Sequence, residues 1–194
     1  MSRIAYISGR PGAGKSSLAF PLAADLGYSL VTKDMVKEAL HDALYVPGSG
    51  EFDLAWSRRL GAASFALLWT LAARAGDMVI EANFDPHNDE ALGQLGGLVG
   101  RTVEVHCACP AEVAVARYNA RPRHEVHWLK TATLTTMDRY DQSTSRPSPP
   151  KSAACTPAEQ TDLPGGGQAL LARALALVDD EQSLDDEDAS SPGA

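Results

Sequence analysis

The stretch Ile7–Ser17, ISGRPGAGKSS, decides the fold. Gly9 to Ser16 reads G-x-x-x-x-G-K-S, a spacing that holds nucleotide phosphates. The glycines let backbone N–H groups turn inward toward an anion. Lys15 can reach the β and γ phosphates, and Ser16 offers Mg²⁺ a hydroxyl ligand. Pro11 stiffens the turn, and a helix starting at Lys15 adds its positive end to the cradle. The expected nucleotide-binding set is Gly9, Arg10, Pro11, Gly12, Ala13, Gly14, Lys15, Ser16 and Ser17, with ATP and Mg²⁺ as cofactors.

The motif sits where its mechanism requires, after a short apolar strand, Arg3–Ser8, and before a helix, Lys15–Leu26. Leu18, Leu22 and Leu26 form one stripe of that helix, and Gly27 ends it. Strand signals recur at Ser29–Thr32, at Asp77–Ala82 with its buried run MVIEA, and at Arg101–Cys109. Helical patterns cover Asp34–Leu44, Asp53–Ala75, Asn88–Val99 and Pro110–Asn119, and the spacing predicts another over His124–Tyr140. Strands alternating with helices imply an α/β fold, a short parallel sheet with helices on both faces. The expectation is a three-layer P-loop NTPase fold of the kinase type with a helical lid. A fifth strand belongs in such a sheet. Within the Pro-, Ser- and Gly-rich segment Asp141–Gly167, only Ser152–Thr156, SAACT, can supply it. Gln168–Val178 reads as a last amphipathic helix.

Composition bounds the rest. The 194 residues are 44% hydrophobic and 22% charged, ordinary for one globular domain. No apolar run is long enough to span a bilayer, and the N-terminal stretch is too short for a signal peptide, so a cytoplasmic location is expected. Cys107, Cys109 and Cys155 lack metal spacing and read as reduced thiols. The net charge of −8 is concentrated in Asp179–Asp188, whose seven acidic residues leave residues 1–178 at −1. That near-neutral body argues against nucleic-acid binding. The expected organisation is a domain over residues 1–178 and an acidic, unstructured tail over 179–194.

The strand ends bring further candidates to the carboxyl edge of the sheet, where open α/β sheets bind ligands. Asp34 follows the second strand. It reads either as a helix cap or as the base that takes a proton from an acceptor hydroxyl. Lys37, one turn on, reads as a solvated lysine or as a group facing the same cleft. Glu81 ends the third strand and can hold Mg²⁺ through water, and Asn83 follows in the loop. Arg117 and Arg121, with Arg123 two residues further, read as a solvated basic face or as lid groups that neutralise a transferring phosphoryl. His124 and His127 read as lid surface residues. His41, Asp42, Tyr45, Glu51, Asp53, Trp56 and Arg58 lie where an acceptor pocket is expected.

Taken together, GRPGAGKSS, TKDMVK, VIEANFDP and ARYNARPR resemble the small AAA-type P-loop kinases grouped with bacteriophage polynucleotide 5′-hydroxyl kinase, zeta toxins and chloramphenicol phosphotransferase. The resemblance covers about Arg3 to Tyr140. It implies Lys15 and Ser16 for phosphates and Mg²⁺, Asp34 as general base, Lys37 where the polynucleotide enzyme has an arginine, and Glu81 where it has an aspartate. Asn83 matches an asparagine, and Arg117 and Arg121 match lid arginines. Lysine at 37 loses the bidentate fork that suits a nucleic-acid phosphate. The expected activity is therefore ATP-dependent transfer of a phosphoryl group to a hydroxyl of a small molecule such as a sugar, nucleoside or antibiotic-like compound. The alternatives are a polynucleotide-kinase-like or zeta-toxin-like enzyme and an ATP-binding module without catalysis. A GTPase is excluded because the chain has no N-K-x-D motif.

Overall fold

The computed structural model describes residues 2–48, 52–85, 88–98, 101–138 and 152–155. Its centre is β1 (Arg3–Ser8), from which the chain runs through α1 (Lys15–Leu26) to β2 (Ser29–Thr32). Two helices follow, α2 (Lys33–Leu44) and α3 (Leu54–Arg74), then β3 (Met78–Glu81) and α4 (Asp89–Gly96). β4 (Arg101–Cys107), α5 (Ala111–Ala120), α6 (Leu134–Asp138) and β5 (Ser152–Cys155) complete the described elements. The strands form one parallel sheet in the order β2-β3-β1-β4-β5. Among the described residues, no helix is long and apolar enough to cross a membrane.

Both faces of the sheet are covered, which is why β1 and β3 read as continuous apolar runs. Alternation along β1 divides the core. Ala5 and Ile7 pack with Leu18 and Leu22 of α1 and with Val103 and Val105 of β4. Ile4 and Tyr6 point the other way, toward Leu68 of α3, Met78, Ile80 and Phe84. The two halves of the chain wind outward from β1, toward β3 and β2 on one side and β4 and β5 on the other. The carboxyl ends of β1, β2 and β3 therefore open onto a common crevice at the point where the strand order reverses.

Two expectations are settled by tertiary pairing. The weak strand at Ser152–Thr156 exists as β5, parallel to β4, with Cys107 opposite Cys155 in register. Its β character comes from the waiting edge of β4 rather than from its own small residues. The helix predicted over His124–Tyr140 is instead limited to α6, and residues 121–133 run as turns and extended chain across α2 and α3. Val126 of this strap is fully buried with Trp56 and Leu60. Ser57 Oγ donates to its carbonyl at 2.7 Å, and Lys130 Nζ donates to the Glu125 carbonyl at 2.9 Å. These side chains take carbonyls that a helix would have bonded internally. The predicted helix Gln168–Val178 and the acidic tail lie outside the described residues.

Candidate active site

The phosphate loop is shaped by positive φ angles at Gly9 (132°), Gly12 (84°) and Gly14 (92°). Close approach makes two of these glycines obligatory. A Cβ on Gly12 would lie 2.2 Å from the Ala114 carbonyl oxygen in α5, and one on Gly9 would lie 2.8 Å from that of Cys107. The loop is thus pressed against the helix that carries Arg117. Gly14 occupies the N-terminal cap position of α1, which leaves the helix's first N–H groups free of any side-chain cap.

A cleft of 280 Å³ opens over this loop. Of the expected binding set, Pro11, Gly12, Gly14, Lys15, Ser16 and Ser17 line it. Gly9 and Ala13 are not among its lining residues; Ala13 is packed into the core. Arg10 contributes its carbonyl, which accepts from Lys15 Nζ at 2.9 Å. Lys15 Nζ also donates to Asn83 Oδ1 and lies 3.9 Å from Glu81 Oε1. Ser16 Oγ donates to Glu81 Oε2 at 3.1 Å. Burial pushes the Lys15 ammonium pKa down, against the pull of Glu81, and pushes the Glu81 carboxyl up, against that of Lys15.

Ser16 and Glu81 thus stand side by side as hard oxygen donors, one neutral and one acidic. That pair suits Mg²⁺, which favours oxygen ligands and keeps waters or phosphate oxygens in its remaining positions. Among the described residues no group of three or more His, Cys, Asp or Glu side chains could hold a metal ion by itself. The Ser16 and Glu81 oxygens fit two positions of a Mg²⁺ shell.

The acceptor-side candidates separate. Asp34 lines the cleft but does not cap α2. The cap is Thr32, whose Oγ1 accepts from the Met35 N–H at 3.1 Å. The cap reading of Asp34 is corrected: it lies inside the first turn, with its carboxylate free for the cleft. Burial alone would raise its pKa, but the surrounding cationic side chains, His127, Lys33, Arg123 and Lys15, hold it below the ordinary carboxylate range. Burial also pushes the His127 imidazole down, against the pull of Asp34 and Glu38.

Lys37 is not at the cleft surface. It is buried and its Nζ donates to Ser57 Oγ at 2.8 Å, which corrects the expectation that it faces the same cleft. Burial, followed by repulsion from Lys33, lowers its pKa to about 8. Arg117 and Arg121 both line the cleft, the first on α5 and the second at its C-terminal cap.

Arg123 lines it as well and is the residue that the motif comparison left without a role. Its Nη2 lies 3.9 Å from Asp34 Oδ2, and its guanidinium stands over the Tyr118 ring at 4.2 Å. The available signal was its position two residues after Arg121, across Pro122. Its approach to Asp34 depends on the strap, which the sequence presented as a helix.

Two other expectations are overturned. His124 and His127 are not free surface groups. His127 is buried and lies 2.8 Å from Glu38, and His124 lies 3.0 Å from Asp42. Both partners are on α2, more than eighty positions away in sequence. The pocket expected around His41, Tyr45 and Trp56 is filled by packing. His41 is 1% exposed, stacks on Tyr45 at 4.8 Å and accepts from Trp56 Nε1 at 3.1 Å. Asp53 caps α3, and Glu51 lies outside the described residues. A larger open cavity of 790 Å³ lies instead between α3 and α4, and Asn83 borders both it and the phosphate cleft.

Similarity to solved structures supports the same fold. A candidate kinase from Chloroflexus aurantiacus is 22% identical with a TM-score of 0.65, covering 87% of this chain and 96% of its own. A shikimate kinase from Bacteroides thetaiotaomicron is 16% identical with a TM-score of 0.53, covering 92% and 98%. A gluconokinase from Sinorhizobium meliloti 1021 is 18% identical with a TM-score of 0.52, covering 91% and 95%. No curated protein matches the sequence. The family model described as an AAA domain matches residues 4–147, most of the chain and every cleft residue named above, and the chain belongs to that family.

Proposed function

We propose that the protein is an ATP-dependent phosphotransferase that moves the γ-phosphoryl group of Mg·ATP to a hydroxyl of a small molecule. The observation that carries this reading is the meeting of three sets of groups in one cleft. These are the phosphate loop with Lys15 and Ser16, the carboxylate of Asp34, and the guanidinium groups of Arg117, Arg121 and Arg123. Simple nucleotide binding needs only the first. Likeness to the structures of a shikimate kinase and a gluconokinase agrees with a small hydroxylated acceptor.

In the proposed reaction the acceptor oxygen forms a bond to the γ-phosphorus as the bond to the bridging oxygen of ADP breaks. Asp34 aligns the hydroxyl and accepts its proton late in transfer, and its lowered pKa keeps it ionised for that role. Lys15, Arg117 and Arg121 neutralise charge on the transferring oxygens. Mg²⁺, held by Ser16 and through water by Glu81, would supply further neutralisation when bound with the nucleotide. Asn83 keeps Lys15 in place.

The test has two stages. A metabolite extract incubated with ATP carrying ¹⁸O in its γ-phosphate should yield one newly labelled species by mass spectrometry. With that acceptor, Asp34→Asn should lower kcat by about 10²–10⁴-fold and leave ATP affinity within a few-fold. Unchanged turnover would remove Asp34 from the mechanism. Brisk hydrolysis that no acceptor accelerates would reject the kinase reading.

A further inference from the structure

The guanidinium of Arg123 carries an unmet demand. Its side chain is only 10% exposed, and Nε and Nη1 are buried with no hydrogen-bond partner. Removing a guanidinium from water without partners is costly, and proteins ordinarily avoid it. Two contacts offset part of that cost. The Asp34 carboxylate is 3.9 Å away, attractive but beyond hydrogen-bond reach. The Tyr118 ring lies 4.2 Å below the guanidinium face, and Tyr118 is itself held by donating to the Leu129 carbonyl at 2.7 Å. A ring under the face leaves the N–H edges unsatisfied. The arrangement holds a planar five-donor group still while leaving its hydrogen bonds for an incoming partner.

Its location indicates which partner. Arg117 lines the phosphate cleft. Arg121 and Arg123 line that cleft and also a second cavity of 240 Å³, shared with Asp34, Thr32, Glu38, His124 and His127. Of the two, Arg123 has its Nη2 3.9 Å from Asp34. It therefore stands beside the group assigned to the acceptor hydroxyl, at the junction of the two spaces.

We propose that the acceptor is an anion, a hydroxy acid or phosphate monoester, and that Arg123 recognises its charged group while Asp34 takes its hydroxyl. This rests on the phosphotransferase reading and narrows its substrate class. A carboxylate or phosphate brings the planar or tetrahedral oxygens that a guanidinium fork binds best, and it completes the buried N–H groups. A neutral polyol could accept from them but would bring no charge to balance the buried guanidinium.

The Nε–Hε signals of the full-length ¹⁵N-labelled protein test this, with the Arg123 signal identified by its loss in Arg123→Lys. The protein is first saturated with Mg·AMPPNP, then titrated with glycerate and glycerol 3-phosphate, with glycerol and glucose as neutral controls. The Arg123 signal should move with an anionic probe and ignore the neutral ones. Arg123→Lys should weaken that anion's binding by about tenfold or more and change Mg·AMPPNP affinity by less than about threefold. A signal that moves with Mg·AMPPNP and then ignores the anions assigns Arg123 to the nucleotide and overturns the proposal. Silence toward every probe overturns it as well. Should Mg·AMPPNP itself fail to bind, the phosphotransferase reading falls; the same anion titration without nucleotide then decides separately whether Arg123 takes an anion. Should Arg123→Lys not fold, loss of the same signal in Arg123→Gln or Arg123→Met assigns it instead.

Discussion

Thr32 and Asp34 divide work that the sequence offered to Asp34 alone. Thr32 closes the N-terminus of α2, and Asp34 is left for the cleft. Thr32→Ala should therefore cost about 1 kcal/mol of stability in denaturant titration, the usual loss for a cap. Asp34→Asn should leave that cap hydrogen bond in place, so its effect on turnover is separable from helix loss. Lys37 supplies a pH signature. Its pKa is lowered from 10.5 to about 8 by burial. Below that value the folded and unfolded chains are both protonated there, and the penalty of burying the charge is fully present. As pH rises from about 8 toward 10.5 the folded state loses its proton first, so stability rises. Comparing urea midpoints at pH 7.5 and 9.5 should show wild type gaining relative to Lys37→Met. Parallel behaviour would show that Lys37 is not held low.

At the scale of elements, the phosphate loop and α5 act as one unit. Gly12 packs so tightly on α5 that an added methyl would meet the Ala114 carbonyl oxygen at 2.2 Å. Gly12→Ala must displace the loop or the helix that positions Arg117, and its φ of 84° adds strain. The expected cost is about 2–4 kcal/mol, with Mg·ATP binding lost before the fold is. A variant of wild-type affinity would show that the contact is not required. The strap over residues 121–133 is the element that composition disguised. Its apolar spacing suits a helix, but Val126 is seated between α2 and α3, and its polar groups find partners there. Three histidine–carboxylate contacts, His41 with Glu125, His124 with Asp42 and His127 with Glu38, fasten it to α2. That fastening brings Arg123 to Asp34.

At the scale of the molecule, the parallel sheet converts distant segments into one site. Gly9–Ser16, Asp34, Glu81 and Arg117–Arg123 leave successive strands at the same edge, because each crossover returns the chain to begin the next strand in parallel. The acidic residues 179–194 have one large apolar side chain, Leu184, and so little to bury. Truncation after Val178 should leave the melting temperature and Mg·ATP affinity nearly unchanged. A drop of several degrees would show that the segment packs on the domain.

The sequence by itself determined the α/β fold, the phosphate loop and the edge of the sheet on which Asp34, Glu81 and Arg117 stand. Those features are local: glycines at fixed spacing, apolar runs of strand length, and helical stripes after them. Tertiary structure decided the rest. It turned Lys37 onto Ser57 and filled the expected acceptor pocket with His41 and Trp56. It also built the strap that delivers Arg123. Each of these depends on a partner 15 to 89 positions away, as Trp56 is from His41 and Glu38 from His127. Such choices follow from burial and satisfied hydrogen bonds across the fold, which residue spacing along one segment does not encode.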